Sequence, residues 1–152
     1  MKSPLVVFLS SLFFISYSMD KETIDYMARN EADITAYIAT NNLEAIKTES
    51  GLYYIIDEPG TGVQPTASSN VTVVYKGYFL NGSVFDQSST QGISFSLTGV
   101  IQGWTEGIPY FKEGGSGMLL VPAHLGYGNS DYKSIPGGSV LIFDINLISV
   151  ND

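Results

Sequence analysis

The chain has 152 residues, of which 44% are hydrophobic and 12% aromatic, a composition that favours one folded domain and argues against a disordered polypeptide. Its formal net charge of −8 argues against a nucleic-acid partner, because few cationic side chains are available to neutralise phosphates. The absence of cysteine excludes disulfides, thiolate metal sites and cysteine nucleophiles.

Residues 1–18 have the pattern of a secretory signal peptide. Lys2 supplies a positive start, residues 5–15 are apolar apart from two serines, and Ser16 and Ser18 are the small residues that a cleavage site requires. The apolar run is too short to span a bilayer comfortably. We therefore expect cleavage after Ser18, export across the inner membrane and a periplasmic location. An uncleaved N-terminal membrane anchor is the alternative.

Residues 19–49 form a polar and charged extension with a helical pattern. Asp20 is the expected N-cap of a helix that runs to about residue 41. Apolar residues recur at spacings that place them on one stripe of this helix. They are Ile24, Met27, Ile34, Tyr37 and Ile38. We expect the helix to pack on the main domain or to act as a spacer from the membrane. Dimerisation through it is possible but not favoured, because so short a stripe makes a weak coiled coil.

From residue 52 onward the hydrophobic pattern becomes that of β-strands. Apolar residues alternate with polar ones along residues 71–79, and Asn81-Gly82 is typical of a hairpin turn that closes this strand. The other predicted strands are residues 52–56, 95–97, 117–121 and 140–150. In the last of them Leu141, Phe143, Ile145 and Leu147 should share one face.

One short helix interrupts the strands. Ile101, Trp104 and Ile108 lie at spacings of three and four, which place them on one face of one or two helical turns that end at Pro109. The order of elements predicts an α+β fold in which a mainly antiparallel sheet wraps around this helix.

Five motifs then follow one another along the chain. They are Tyr75-Lys-Gly, Phe85-Asp86, Val100-Ile101-Gln-Gly-Trp104, Tyr127-Gly128 and Leu141-Ile-Phe143-Asp144. This ordered set resembles the FKBP-type peptidyl-prolyl cis-trans isomerases, and the resemblance covers about residues 50–150. It implies an isomerase domain over residues 50–152, in which a curled antiparallel sheet of five or six strands surrounds one short helix.

The resemblance also implies a site for a proline residue. Trp104 would form its floor, Ile135 would close its rim, and the Ile101 backbone N–H would donate to a substrate carbonyl. Tyr127 would offer its hydroxyl, and Asp86 would lie beside the twisting amide. The walls would be formed by Tyr75, whose hydroxyl would also orient the carboxylate, and by Phe85, Phe95, Val100, Ile101 and Phe143. The residues expected to act in catalysis are Asp86, Tyr127, Phe85 and Tyr75.

Taken singly, these residues have ordinary explanations, since a lone aromatic is more often core and Asp86 alone is more often a turn or surface acid. It is the ordered set that favours a site. Asp144 is expected to be structural and His124 to be a solvated loop residue. Gly99 and Ser134 depart from the family's pattern, and we expect them to loosen the rim and to reduce affinity for substrate or macrolide.

The predicted site residues suit catalysis of rotation about an X–Pro bond. The reaction breaks no covalent bond, so it requires no nucleophile, and we expect no metal and no cofactor. Its barrier of about 18–20 kcal/mol arises from lost amide resonance, and an apolar site that also hydrogen-bonds the twisted form lowers that barrier. The expected partners are proline-containing polypeptides, here those of exported proteins, and the resemblance also implies macrolide inhibitors of the tacrolimus or rapamycin type. The alternative is a non-catalytic module that binds proline-containing peptides in an envelope assembly.

Overall fold

The computed structural model of the protein describes residues 26–152. The predicted signal peptide, the Asp20 cap and Ile24 lie outside these residues. The described part of the N-terminal helix, α1, covers residues 26–40, and α2 is Gln102–Gly107. Two 3-10 turns follow at Ile108–Tyr110 and Ala123–Leu125. Between residues 26 and 152 no helix combines the length and the apolarity that crossing a membrane requires.

The described strands form one antiparallel sheet. They are β1 Ile46–Lys47, β2 Tyr53–Glu58, β3 Asn70–Tyr78, β4 Val84–Gln87, β5 Ile93–Ser96, β6 Ser116–Val121 and β7 Leu141–Val150. Their order is β1-β2-β6-β7-β3-β4, and β5 also pairs with β3. The predicted α+β fold with a curled antiparallel sheet around a short helix is confirmed. The sheet has seven strands rather than five or six, because the two residues of β1 also pair with β2.

The core lies between α2 and the concave face of the sheet. Trp104 and Ile108 from the helical segment are buried there, as are the four residues of β7 that were predicted to share a face. The strand bounds differ slightly from the prediction. Strand β5 ends at Ser96, because Leu97 turns away from the strand into the core and its amide donates to the Ser69 carbonyl.

A second apolar cluster lies where α1 covers the other face of the sheet. It contains Leu120 and Ile142, so strands β6 and β7 are buried on both faces at this end. Ile34 of α1 is completely buried, and Tyr37 and Ile38 are partly buried against the same cluster. The helix therefore packs on the sheet, which was one of the two arrangements expected.

The predicted stripe of α1 is wrong at Met27, whose side chain is 43% exposed. Asn30 takes the buried position one helical turn before Ile34. A polar residue is tolerated there because hydrogen bonds satisfy its amide on both sides. Hydrophobic periodicity cannot detect such a residue, because it counts only apolar side chains.

Candidate active site

Two glycines of α2 determine the position of Trp104, the predicted floor of the site. A Cβ atom at Gly103 would lie 2.6 Å from Cγ1 of Val121, and one at Gly107 would lie 2.7 Å from Cδ2 of Leu119. Only residues without a side chain allow α2 to approach β6 this closely. Trp104 lies between the two glycines, so this contact fixes its position over the sheet.

The Trp104 ring is surrounded by three aromatic rings at nearly right angles. Its centroid lies 5.0 Å from that of Tyr75, 5.4 Å from that of Phe95 and 5.3 Å from that of Phe143. The Phe85 ring in turn meets Phe143 edge to face at 5.6 Å. Edge-to-face contacts at these distances are favourable and give each ring one orientation. The rings therefore form a rigid aromatic wall.

This wall encloses a cavity of about 400 Å³ that opens to solvent. The cavity is lined by Tyr75, Phe85, Asp86, Phe95, Gly99, Val100, Ile101, Trp104, Tyr127, Tyr132 and Phe143. Nine of the ten residues predicted for the site are among these residues. The tenth, Ile135, is 7% exposed and belongs to the core, where it pairs with Tyr132 in an isolated bridge.

Tyr132 is a lining residue that the sequence analysis missed. Its ring stacks on that of Tyr127, with a centroid distance of 4.4 Å and an interplanar angle of 5°. A second tyrosine in the same short loop as Tyr127 was an available signal. Its orientation depends on the pairing of Tyr132 with Ile135, which no sequence pattern reveals.

The polar groups of the cavity come from β3, β4 and the loop of the stacked tyrosines. The Tyr75 hydroxyl donates to Oδ2 of Asp86 at 2.6 Å, so this carboxylate is oriented at the edge of the aromatic wall. Ile101 precedes α2 and no hydrogen bond from its amide is found within residues 26–152. An unpaired amide at a helix N-terminus is a ready donor. No hydrogen bond of the Tyr127 hydroxyl is found among the described residues either.

The other residues noted in the sequence lie away from this cavity, with the exception of Gly99, which lines it. Ser134 lines a neighbouring groove with Phe79. Asp144 is exposed and accepts a hydrogen bond from the Tyr78 hydroxyl at 2.9 Å. His124 is exposed and its Nε2 lies 2.7 Å from the Ser50 carbonyl oxygen.

The phenols of the cavity should make the protein less stable in strong alkali. Burial, followed by the hydrogen bond to Asp86, raises the pKa of Tyr75 above its ordinary value of 10.0. Burial, with smaller effects of Tyr132 and Asp86, also raises the pKa of Tyr127. The folded state therefore keeps protons that the unfolded state loses above about pH 10. Below that pH the contribution to stability is complete, and it is lost as the pH rises further.

Urea unfolding at a series of alkaline pH values measures this effect. The free energy of unfolding should fall as the pH rises above about 10, and Tyr75→Phe should make the fall shallower. An identical slope in Tyr75→Phe and the unmodified chain would contradict the assignment to Tyr75.

Comparison with known proteins agrees with this geometry. Residues 62–148, more than half of the chain, match the sequence model of the family described as FKBP-type peptidyl-prolyl cis-trans isomerase. The chain is 46% identical over 109 residues to the FKBP-type peptidyl-prolyl cis-trans isomerase FkpA of Buchnera aphidicola subsp. Schizaphis graminum, covering 70% of this chain and 43% of the relative. It is 44% identical over 110 residues to FkpA of Escherichia coli strain K12, covering 70% of this chain and 41% of the relative. The chain thus spans less than half the length of these curated relatives.

Two solved structures are similar throughout the fold. The crystal structure of FkpA from Escherichia coli superposes with a TM-score of 0.73 at 33% identity, covering 99% of this chain and 74% of that one. A peptidyl-prolyl cis-trans isomerase from Pseudomonas syringae pv. tomato superposes with a TM-score of 0.72 at 29% identity, covering 86% and 96%. The matched family model and the identity to these relatives show that the chain belongs to the FKBP-type peptidyl-prolyl cis-trans isomerase family.

Proposed function

We propose that this chain catalyses cis-trans isomerisation of X–Pro bonds in exported polypeptides. The observation that carries the proposal is the aromatic cavity, in which Asp86, oriented by Tyr75, lies at the edge of a wall built around Trp104. Such a cavity supports the proposal because it offers a proline ring an apolar environment and has polar groups available to the preceding amide.

The proposed mechanism follows from the electronic structure of the amide. The planar amide is stabilised by a charge-separated resonance form, which an apolar environment disfavours. Twisting the C–N bond removes that resonance, leaving a ketone-like carbonyl and a pyramidal nitrogen. The Ile101 amide and the Tyr127 hydroxyl are the donors available to the carbonyl oxygen. The Asp86 carboxylate supplies a negative field beside the rotating bond.

These groups need to act more strongly on the twisted amide than on the planar one. An acceleration of about 10⁵-fold requires roughly 7 kcal/mol of such differential stabilisation. Hydrogen bonds of this kind contribute about 0.5–1.5 kcal/mol each, and about 1.5–3 kcal/mol when one group is charged. Release of the amide from water provides the remainder in this mechanism.

A proline-switch assay tests the activity. A peptide with a Leu-Pro or Phe-Pro bond is equilibrated in one solvent and diluted into buffer, and the return of its cis fraction to equilibrium is followed with and without the protein. We expect catalysed relaxation that a macrolide of the tacrolimus or rapamycin type inhibits by occupying the same cavity. Peptide binding without any acceleration would instead support the non-catalytic binding module.

The action on exported polypeptides depends on the N-terminal segment. The apolar run of residues 5–15 and the small residues Ser16 and Ser18 support export with cleavage after Ser18. The intact mass of the protein recovered from its host decides this point. We expect a chain that begins at Met19, whereas a mass that includes residues 1–18 would indicate an uncleaved anchor.

Gly77 should be required for the shape of the cavity. A Cβ atom at this position would lie 2.7 Å from Cζ of Phe85 and 3.0 Å from Cε1 of Phe143. Gly77→Ala therefore pushes two wall rings from their positions, and overpacking of this kind costs about 1–3 kcal/mol. We expect the affinity for a proline-containing peptide, titrated by Trp104 fluorescence, to fall about tenfold, equivalent to about 1.4 kcal/mol.

Gly62→Ala provides the matched control. A Cβ atom there would lie 2.6 Å from Cβ of Glu113, a comparable close approach at a residue that does not line the cavity. We expect this variant to lose stability but to keep its peptide affinity. Equal affinities of Gly77→Ala and the unmodified chain would show that the ring positions do not determine binding.

A further inference from the structure

Asn30 is a buried polar residue in a part of the chain that the family model does not include. It lies in α1 and is 2% exposed, whereas the family match begins at residue 62. A buried amide is stable only when its donor and acceptor both find partners. The identity of those partners shows what Asn30 holds in place.

The Asn30 side chain joins two segments that are close to the cavity. Its Oδ1 accepts from the Ala123 amide at 2.8 Å, and its Nδ2 donates to the Gly138 carbonyl at 3.0 Å. The Ala123 carbonyl accepts from the Gly128 amide at 2.8 Å, and the Gly128 carbonyl accepts from the Gly138 amide at 2.9 Å. These bonds close a ring through four residues, to which Asn30 contributes its side chain and the others their backbone.

The ring encloses the base of the loop that carries the stacked tyrosines. Tyr127 immediately precedes Gly128, and both Tyr127 and Tyr132 line the cavity. Tyr26 of helix α1 also packs against Gly138, where an added Cβ atom would lie 2.2 Å from Cε1 of the Tyr26 ring. Gly138 has φ +76°, a second reason why a residue without a side chain is favoured there. The two ends of this loop, residues 123 and 138, are thus both fixed by the N-terminal helix.

We propose that Asn30 is a positioning residue for the candidate active site. By fixing both ends of the loop 123–138, Asn30 holds Tyr127 in place. This inference rests on the proposed role of the cavity in binding and isomerising proline-containing peptides. Positioning matters because a displacement of about 1 Å, even when it originates far from the reacting atoms, can reduce a rate by about 10²-fold. The N-terminal helix is then part of the site's support.

Two substitutions of Asn30 remove different parts of the ring. Asn30→Ala removes both side-chain bonds, whereas Asn30→Asp keeps the shape and the acceptor for Ala123 but loses the donor to Gly138 at neutral pH. Ile34→Ala is the control, because it weakens the packing of the same helix and leaves the four hydrogen bonds of the ring in place. All variants are compared in the full chain, at a temperature where circular dichroism shows them folded.

Three measurements separate positioning from stability. These are kcat/KM in the proline-switch assay, peptide affinity from Trp104 fluorescence, and amide hydrogen exchange at Gly128 and Gly138. We expect both Asn30 variants to lower kcat/KM at least about fivefold and to speed exchange at the two glycines. Ile34→Ala should lower the unfolding midpoint but stay within about twofold in kcat/KM, as expected for sites that do not interact.

A double substitution tests whether Asn30 acts through Tyr127. If it does, Asn30→Asp should have little further effect on kcat/KM in a Tyr127→Phe background, because the coupled group is already absent. The inference is overturned if the Asn30 variants retain wild-type kinetics and exchange, if Ile34→Ala loses activity equally, or if the effects of Asn30→Asp and Tyr127→Phe simply add.

The proposed function can fail separately from this inference. An unmodified chain that shows no catalysis rejects the enzymatic proposal. Hydrogen exchange at Gly128 and Gly138 then still decides the inference: faster exchange in Asn30→Asp than in Ile34→Ala supports a positioning role, and equal exchange overturns it.

Discussion

Replacing Trp104 by alanine should abolish measurable isomerisation and lower the free energy of unfolding by about 3–5 kcal/mol. The indole is 4% exposed and makes edge-to-face contacts with three rings, so its removal leaves a large void below the cavity. A small domain has a total stability of about 5–15 kcal/mol, so the variant should remain folded at low temperature. The measurements are urea unfolding and the proline-switch assay.

Phe111→Ala distinguishes loss of the floor from loss of stability. Phe111 is completely buried in the same core but does not line the cavity. Its removal should cost a similar free energy while the isomerisation rate of the folded protein is retained. If Phe111→Ala lost activity to the same extent, destabilisation alone would explain the result for Trp104.

A milder substitution tests the aromatic character of the floor. The Trp104 indole N–H is buried and has no hydrogen-bond partner within the described residues. Trp104→Phe therefore breaks no hydrogen bond of the described chain and keeps an apolar ring. It should keep more activity than Trp104→Ala. Equal losses would mean that the size of the indole, rather than an aromatic surface, is what the cavity requires.

Much of the fold could be predicted because its signals are local. Alternation along β3 and β7, and the spacing of Ile101, Trp104 and Ile108, each depend on neighbouring positions in sequence. The residues that line the cavity could be predicted for another reason. Motifs in a fixed order along the chain identify residues that the fold brings together. Nine of the predicted residues therefore line one cavity, although no single one of them indicated a site.

What could not be predicted depends on contacts between distant segments. Ile135 and Tyr132 exchange backbone hydrogen bonds, which leaves the isoleucine in the core and Tyr132 at the cavity. Asn30 can be buried because Ala123 and Gly138 satisfy its amide. These partners lie about a hundred residues further along the chain, so no local pattern indicates them. Neither pairing leaves a periodic pattern, and a polar residue in a predicted helix is assigned to solvent by default.

One residue of the cavity serves both the stability of the fold and the proposed activity. Tyr75 packs against Trp104 in the core and donates its hydroxyl to Asp86 at the edge of the cavity. Burial and this bond keep the phenol protonated, because both raise its pKa. The same ring thus contributes apolar contact area to folding and orients Asp86, the one carboxylate among the described residues that line the site.

Asp86→Asn should separate catalysis from binding. The side chain is exposed and keeps its shape in this variant, so the fold and the hydrogen bond from Tyr75 should persist. Only the negative charge beside the rotating amide is lost. We expect kcat to fall about 10- to 100-fold, which corresponds to about 1.4–2.7 kcal/mol of lost electrostatic stabilisation of the twisted amide. Peptide affinity, measured by Trp104 fluorescence, should change less than about threefold, since apolar contacts dominate binding of the planar form.

Asp144→Asn is the matched control, because the chain contains a second pair of the same chemistry. The Tyr78 hydroxyl donates to Oδ1 of Asp144 at 2.9 Å, and neither residue lines the cavity. This variant changes the net charge by the same amount and weakens the same type of bond, so it should leave kcat unchanged. If both variants lost activity equally, the effect would come from overall charge. A fully active Asp86→Asn would assign the rate enhancement to the apolar wall and the two hydrogen-bond donors, and would remove the carboxylate from the mechanism.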